Sequence, residues 1–263
     1  MSESNLSTVM KNASHNLRLF GIHKGIDRLS NIAVKDGLHP LEYLRLVLDE
    51  EKNFRQERSA KMLKTRAKFR SDAELEDWDH SFPRGLTKAQ FKECASLRFY
   101  ENKENLLILG STGMGKTHLA IALGKKLCTE NVRVQFYSVN FLFEEALSEK
   151  LAGKYLLFIK RIRNALVIIL DDFGLRTYTH EEAQVLVDIL EERYLKGSII
   201  VTSQVDINGW GKLFADPVIS EAIIDRLSQP SQRVVLQAQA QGMKSYREKA
   251  RPKKEVETSQ TLA

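Results

Sequence analysis

A glycine-rich turn at residues 110–117 constrains the fold most, because the segments on its two sides differ in periodicity. The turn reads Gly-Ser-Thr-Gly-Met-Gly-Lys-Thr. Residues 106–109 are all Leu or Ile, which predicts a short buried strand. After the turn, Leu119, Leu123 and Leu127 recur every fourth position, which predicts a helix. A strand, a flexible turn and a helix start together bind phosphate through backbone N–H groups, so the sequence predicts a P-loop.

The P-loop residues, together with the residue that follows them, are the candidate nucleotide contacts. Lys116 is expected to reach the β- and γ-phosphates, and the Thr117 hydroxyl is expected to bind Mg²⁺. ATP and Mg²⁺ are therefore the predicted cofactors. The alternative is a glycine-rich loop with an incidental lysine. The full set of candidate contacts is Gly110, Ser111, Thr112, Gly113, Met114, Gly115, Lys116, Thr117 and His118.

A pair of acids follows a second apolar segment. Residues 166–170 are apolar, and Asp171 and Asp172 come directly after them. In an open α/β sheet, ligands bind outside the carboxyl ends of the strands, which is where this pair is expected to lie. Asp171 is the expected Mg²⁺ partner through water, and Asp172 is the candidate to orient or deprotonate the attacking water. The alternative is a simple turn before Phe173.

Two further polar residues are candidates for catalysis. Gln204 follows the apolar strand at 198–202 and is predicted to sense the γ-phosphate or to hold the water; the alternative is an ordinary strand-to-loop transition. Arg226 lies in a short apolar helix and is predicted to reach into the phosphate site of a neighbouring subunit. An intrachain salt bridge with Asp225 or Glu221 is the alternative for Arg226.

The fold class follows from the alternation of apolar strands with helical patterns. This alternation predicts an α/β protein with a parallel sheet flanked by helices. The predicted strands are residues 106–109, 133–137, 166–170, 198–202 and 233–236.

Three regions are predicted along the chain. Residues 1–72 form a small helical region in which a helix begins at Pro40, residues 73–240 form the nucleotide-binding domain, and residues 241–263 form a basic, mobile tail. A linker around Phe82 and an amphipathic helix around residues 87–100 are expected to lead into the P-loop strand.

Basic side chains are clustered near the N-terminal end. The net charge is +6, which favours a polyanionic partner. Residues 52–70 carry eight Lys or Arg against one acid. Either this segment binds nucleic acid or a partner, or it is a solvated helix face. The candidate DNA contacts are Arg55, Arg58, Lys61, Lys64, Arg66, Lys68 and Arg70.

Composition favours a cytoplasmic protein. No apolar stretch approaches the roughly 18 residues of a membrane span, and the start of the sequence has no secretory pattern. Cys94 and Cys128 belong to no metal-binding spacing and are expected to be reduced core residues.

Several segments together resemble one known family, the IstB-like AAA+ ATPases. These are helper proteins of insertion-sequence transposases, related to the DnaC helicase loader and the DnaA initiator. The resemblance covers roughly residues 40–247. It is carried by the P-loop with His118-Leu-Ala-Ile-Ala-Leu, Asp171-Asp172, Ile-Val-Thr-Ser-Gln, Trp210-Gly211, Phe214-Ala-Asp216-Pro217-Val and Ile-Asp225-Arg226-Leu227.

The resemblance implies an AAA+ fold and a slow ATPase that assembles on duplex DNA, as a ring or filament of identical subunits, and assists a cognate transposase. It implies that Arg226 acts in trans. Asp172 stands where the family usually has glutamate, and Gln204 where it usually has asparagine. The alternatives are a DnaC-like helicase loader and a DNA-binding scaffold that holds ATP without hydrolysing it.

Overall fold

The computed structural model describes residues 3–237, which divide into two units. Among these described residues, one unit comprises residues 3–66 with 128–131, and the other comprises residues 67–127 with 132–237. The basic tail predicted at 241–263 lies outside the described residues.

The first unit is built from helices α1 (Glu3–Asn16), α2 (Phe20–Asp36) and α3 (Pro40–Ala67). The helix start predicted at Pro40 is confirmed, and α3 continues through most of the basic segment. Ile22, Ile26 and Leu29 form one face of α2 and pack against Val47 of α3. Apolar residues at helical spacing therefore join the two helices.

Glu51 of α3 binds the first turn of α2. Its carboxylate accepts hydrogen bonds from the backbone N–H groups of Gly21 (2.7 Å) and Ile22 (3.1 Å) and from Nε of Arg55 (2.7 Å). Burial opposes its ionisation, yet the hydrogen bonds from Arg55, Ile22 and Gly21 keep the pKa of Glu51 below its usual value. The unpaired N–H groups at the start of α2 are thus satisfied by an anion.

The second unit contains the predicted parallel sheet, with strand order β2-β3-β4-β1-β5. All five predicted strands are confirmed. They are β1 (Asn105–Gly110), β2 (Val134–Ser138), β3 (Val167–Phe173), β4 (Ser198–Ser203) and β5 (Ser231–Leu236). Because the strands are parallel, the P-loop, the acid pair and the end of β4 share one edge of the sheet.

Helices flank this sheet on the described part of the chain. They are α4 (Lys88–Ala95), α5 (Arg98–Glu101), α6 (Lys116–Thr129), α7 (Val139–Leu151), α8 (Tyr155–Asn164), α9 (His180–Arg193), a 3₁₀ helix (Ile207–Leu213) and α10 (Pro217–Ser228). The single helix expected around residues 87–100 is wrong: Leu97 adopts a left-handed φ of 62°, which separates α4 from α5.

Arg193 is a buried cation inside the second unit. Its guanidinium donates to the carbonyl oxygens of Ile162, Ala165, Leu166 and Ser198 at 2.8–3.1 Å. Burial lowers the pKa of Arg193 to about 10. The side chain therefore joins the end of α8 to the starts of β3 and β4, and its role is structural.

The two cysteines are buried free thiols, as predicted. Burial raises the pKa of Cys94 to about 11, which keeps that thiol protonated and unreactive. Within residues 3–237, every helix is too short or too polar to cross a membrane.

Candidate functional site

The P-loop connects β1 directly to α6. Gly110 has φ of +133°, and a Cβ on it would lie 1.9 Å from the carbonyl oxygen of Leu236 in β5. Gly113 and Gly115 also have positive φ, at 76° and 94°. Glycine is therefore required for both the turn and its close approach to β5. The loop is left with the backbone conformation that phosphate binding needs.

Lys116 is the first residue of α6 and is 7% exposed. Its Nζ donates to the carbonyl oxygen of Ser111 at 2.8 Å, so the ammonium group lies across the mouth of the loop. Ser111 and Thr112 are exposed. The ammonium group of Lys116 thus lies next to the exposed part of the loop.

The segment expected to be a linker around Phe82 is instead packed behind the P-loop. Trp78 and Phe82 are buried, and the Arg84 guanidinium lies 4.1 Å from the Trp78 ring centroid and 5.0 Å from that of Phe82. Arg84 also donates to the carbonyl oxygen of Met114 at 3.3 Å. A buried cation thus supports the loop from behind, so the linker interpretation is wrong.

His118, in the first turn of α6, contacts the same segment. Its ring is 6.0 Å from that of Trp78, and Nε2 is 3.3 Å from the carbonyl oxygen of Glu74. The predicted nucleotide contact of His118 stays a prediction, and its observed contacts are with residues 74 and 78.

Asp171 and Asp172 converge because β3 is irregular at their position. Successive side chains of a regular strand point to opposite faces. Here the register with β4 shifts between Leu170 and Phe173, and Asp172 has a left-handed φ of 61°. The bulge turns both carboxylates towards one place. Aspartate tolerates this backbone conformation better than most residues, which gives a physical reason for the shorter acid at 172.

Thr202 of β4 holds the acid pair in position. Its hydroxyl donates to Oδ1 of Asp171 at 2.6 Å and accepts from the backbone N–H of Asp172 at 3.0 Å. Thr117 donates to the same Oδ1 at 2.8 Å. Sequence reasoning missed Thr202, because a threonine in an apolar strand is also an ordinary β-former.

The electrostatics of Asp171 follow from its complete burial. Burial raises the pKa of Asp171; the hydrogen bonds from Thr202 and Thr117 oppose that rise, the charge of Asp172 adds to it and the charge of Arg70 opposes it. The two threonine hydroxyls therefore favour the ionised form that a metal ion needs.

Thr202→Val tests this support with almost no change of shape. We expect the free energy of unfolding to fall by about 1–3 kcal/mol, because the buried Oδ1 of Asp171 loses one of its two donors and the backbone N–H of Asp172 loses its acceptor. The pKa of Asp171 should rise. The acid limb of nucleotide binding, which is the pH range over which Mg²⁺-dependent binding is lost on acidification, should therefore move to higher pH. Titrations of a fluorescent ATP analogue at several pH values measure this shift. Thr202→Ser is the control, and an unchanged limb in Thr202→Val would contradict the assigned role.

The oxygen atoms at the end of β3 fit a Mg²⁺ ion. Thr117 offers a hydroxyl, and Asp171 and Asp172 offer carboxylates, which are the hard ligands that Mg²⁺ prefers. Oδ2 of Asp171 is buried, and the Arg70 guanidinium lies 2.8 Å from it. This oxygen therefore already contacts a positive charge, as it would in a metal site.

Gln204 lies just beyond β4 and is exposed, whereas Ser203 is buried and donates to the carbonyl oxygen of Phe173 at 2.7 Å. The sensor role of Gln204 stays a prediction. The polar residue of β4 that contacts the acid pair is Thr202.

Arg226 lies at the opposite edge of the sheet from the P-loop. Nδ2 of Asn105, the first residue of β1, donates to the carbonyl oxygens of Arg226 (2.9 Å) and Leu227 (3.1 Å). The P-loop begins at the other end of this six-residue strand, roughly 16 Å away at 3.3 Å per residue. The Arg226 guanidinium is 3.3 Å from Oε1 of Glu191. Asp225 and Glu221, the partners considered from sequence, are not the ones it contacts in the described structure.

The comparison with protein families decides the classification. The model of the IstB-like ATP binding protein family matches residues 12–254. The chain belongs to this family.

Relatives of this IstB-like chain are encoded by insertion sequences. It is 34% identical to the insertion sequence IS21 ATP-binding protein of Pseudomonas aeruginosa, over 90% of this chain and 87% of that protein. It is 30% identical to an insertion-sequence ATP-binding protein of Mycobacterium tuberculosis, over 92% of this chain and 95% of that one.

Solved structures support the AAA+ fold. DnaI matches 62% of this chain and 90% of its own, with a TM-score of 0.53 and 24% identity. DnaA of Aquifex aeolicus bound to AMPPCP matches 64% of this chain and 51% of its own, with a TM-score of 0.53 and 20% identity. The IstB-like chain is thus an ATP-binding AAA+ protein with the predicted parallel sheet.

The candidate DNA contacts of the IstB-like chain have different surroundings. Arg55 is paired with Glu51, and Arg58 lies 6.0 Å from the ring centroid of Phe20. Lys61, Arg66 and Lys68 are exposed, and Lys64 is half-buried. Arg70 contacts the acid pair at the nucleotide site. DNA binding by this group stays a prediction.

Proposed function

We propose that this protein hydrolyses Mg·ATP at an interface between two copies of itself, assembled on duplex DNA, and thereby assists a transposase. The observation that carries the proposal is the separation of Arg226 from the P-loop across the length of β1. One chain has a phosphate site at one edge of its sheet and, at the other, an arginine whose side chain is 30% exposed.

Within one chain, each residue of the site has a distinct task. Lys116 binds the β- and γ-phosphates as a cation, and the loop N–H groups bind their oxygens. Thr117 and Asp171 would hold Mg²⁺, which when bound supplies charge neutralisation at the phosphate oxygens. Asp172, 26% exposed as a side chain, orients the attacking water or takes its proton, while the buried Asp171 stays anchored by Thr202.

Arg226 supplies the remaining charge from a second copy. Its own P-loop is too far away for one arginine side chain to reach, so the phosphate it serves belongs to a neighbour. Contacts between opposite edges are heterologous, and repeated heterologous contacts generate rings or helical filaments. Tyr194 and Leu195 line the same surface recess as Arg226 and are more than half exposed, which supports a covered interface there.

DNA binding is supported by the net charge of +6 and by the exposed cations Lys61, Arg66 and Lys68. The transposase role is supported by relatives that are insertion-sequence proteins over about nine-tenths of this chain. Helicase loading has weaker support, because the likeness to the solved structures extends to the fold alone.

Sedimentation analysis of the protein on duplex DNA tests the proposal. With ATP, we expect large assemblies that shrink with ADP, and DNA affinity that falls steeply as salt rises, because phosphate contacts release counterions. Assemblies of one size with ATP, with ADP and without nucleotide would contradict it. So would DNA affinity that does not respond to salt.

A further inference from the structure

Arg70 contacts three groups of the Mg·ATP site at once. Its NH2 lies 2.8 Å from Oδ2 of Asp171 and 3.1 Å from the Thr117 hydroxyl. Its NH1 lies 3.1 Å from Oδ2 of Asp172. The planar guanidinium thus bridges both acids and the threonine, which are the oxygen donors available to the metal.

The segment around Arg70 is anchored on α6 and β2. The Phe69 ring packs so closely against Gly124 that a Cβ there would lie 2.8 Å from it, and it makes an edge contact with Phe136 at 6.3 Å between centroids. On the other side, the nearly buried Lys125 pairs with Asp72 and with Glu74. The contacts of Phe69 and the ion pairs of Lys125 thus hold the backbone on both sides of Arg70, so that its side chain lies beside the acid pair.

We propose that Arg70 is a positioning residue that acts as the internal counter-ion of the acid pair and gives way when Mg·ATP binds. This rests on the proposed Mg²⁺ site. A guanidinium that bridges Asp171 and Asp172 competes with a divalent ion for the same oxygens. Without the metal, it neutralises the two carboxylates that would otherwise repel the phosphates of ATP.

Two effects of opposite sign follow for Arg70→Gln. In Mg²⁺, the variant should bind a nucleotide more tightly, because no side chain has to be displaced. In EDTA, it should bind the nucleotide more weakly, because the two carboxylates then have neither Arg70 nor a metal ion as a counter-ion and repel the phosphates. The dissociation constant in EDTA divided by the one in Mg²⁺ should therefore rise by about fivefold. This is the scale of the free energy of a partly exposed ion pair.

The experiment titrates the full-length protein with a fluorescent ATP analogue, in EDTA and over a series of Mg²⁺ concentrations. Lys92→Gln is the matched control, because it removes one exposed positive charge from α4 of the same unit, at a residue with no contact to the acid pair in the described structure. Arg70→Lys should restore part of the effect. We expect a raised Mg²⁺ dependence in Arg70→Gln, an unchanged one in Lys92→Gln and a lower half-saturating Mg²⁺ concentration in Arg70→Gln.

Three outcomes would overturn the inference: an equal ratio in Arg70→Gln and wild type, an equal change in Lys92→Gln, or weaker nucleotide binding by Arg70→Gln in Mg²⁺. A wild-type protein whose nucleotide binding ignored Mg²⁺ would overturn the proposed metal site as well. Failure of the inference alone is recognised by a Mg²⁺-dependent wild type with no change in Arg70→Gln.

Discussion

Arg226→Ala is expected to lower ATP hydrolysis by the DNA-assembled protein by about 10³–10⁵-fold, the contribution of an arginine supplied in trans. Nucleotide binding to a single chain should stay almost unchanged, because Arg226 lies at the far end of β1 from the P-loop. Steady-state hydrolysis on duplex DNA and binding of a fluorescent ATP analogue measure the two quantities separately.

Glu191→Gln is the matched control for Arg226→Ala. It removes the intrachain ion pair at 3.3 Å and leaves the arginine in place. If Arg226 acts on a neighbour, hydrolysis in Glu191→Gln should equal or exceed that of the wild type. Equal losses in the two variants would instead assign Arg226 to a structural pair on the surface of one chain.

Lys116→Ala is expected to weaken nucleotide binding by about 100-fold, because charge-assisted hydrogen bonds to phosphate are lost at a nearly buried position. Hydrolysis should become undetectable. The fold should be retained, since the helix that begins at Lys116 keeps its apolar contacts through Leu119 and Leu123. Titration with a fluorescent ATP analogue, checked by circular dichroism, measures both effects.

Lys126→Ala controls for the loss of a lysine from the same helix. The Nζ of Lys126 donates to the carbonyl oxygen of Ala95 at 2.7 Å, and neither residue belongs to the P-loop. Nucleotide binding should be unaffected in this variant. A comparable weakening in Lys126→Ala would mean that the effect of Lys116→Ala comes from general damage to α6.

Local pattern predicts much of the sheet. Strands β1, β3 and β4 are built around apolar runs, and all five predicted strands lie within observed strands or overlap them by most of their length. The P-loop and Asp171 are equally predictable, because a glycine-rich turn and a strand-terminal acid have few other uses. The expected helix around residues 87–100 fails at Leu97, where a single left-handed residue ends the helical path.

The details of the site depend on contacts between distant residues. Arg70 and Asp172 are 102 positions apart, so Arg70 resembles any other member of a basic run. Thr202 resembles a strand residue until β4 lies beside β3. The convergence of Asp171 and Asp172 requires a bulge, and the alternation of residues along a strand does not predict where a bulge occurs.

Mixing two inactive variants tests the shared site most directly. A Lys116→Ala chain keeps its arginine, and an Arg226→Ala chain keeps its P-loop. In an assembly of equal parts on duplex DNA, about a quarter of the heterologous interfaces combine an intact P-loop with an intact arginine. ATP hydrolysis should therefore recover to about a quarter of the wild-type rate, although each variant alone is inactive. Hydrolysis that stays at the level of the separate variants would contradict a site completed by the next copy of the chain.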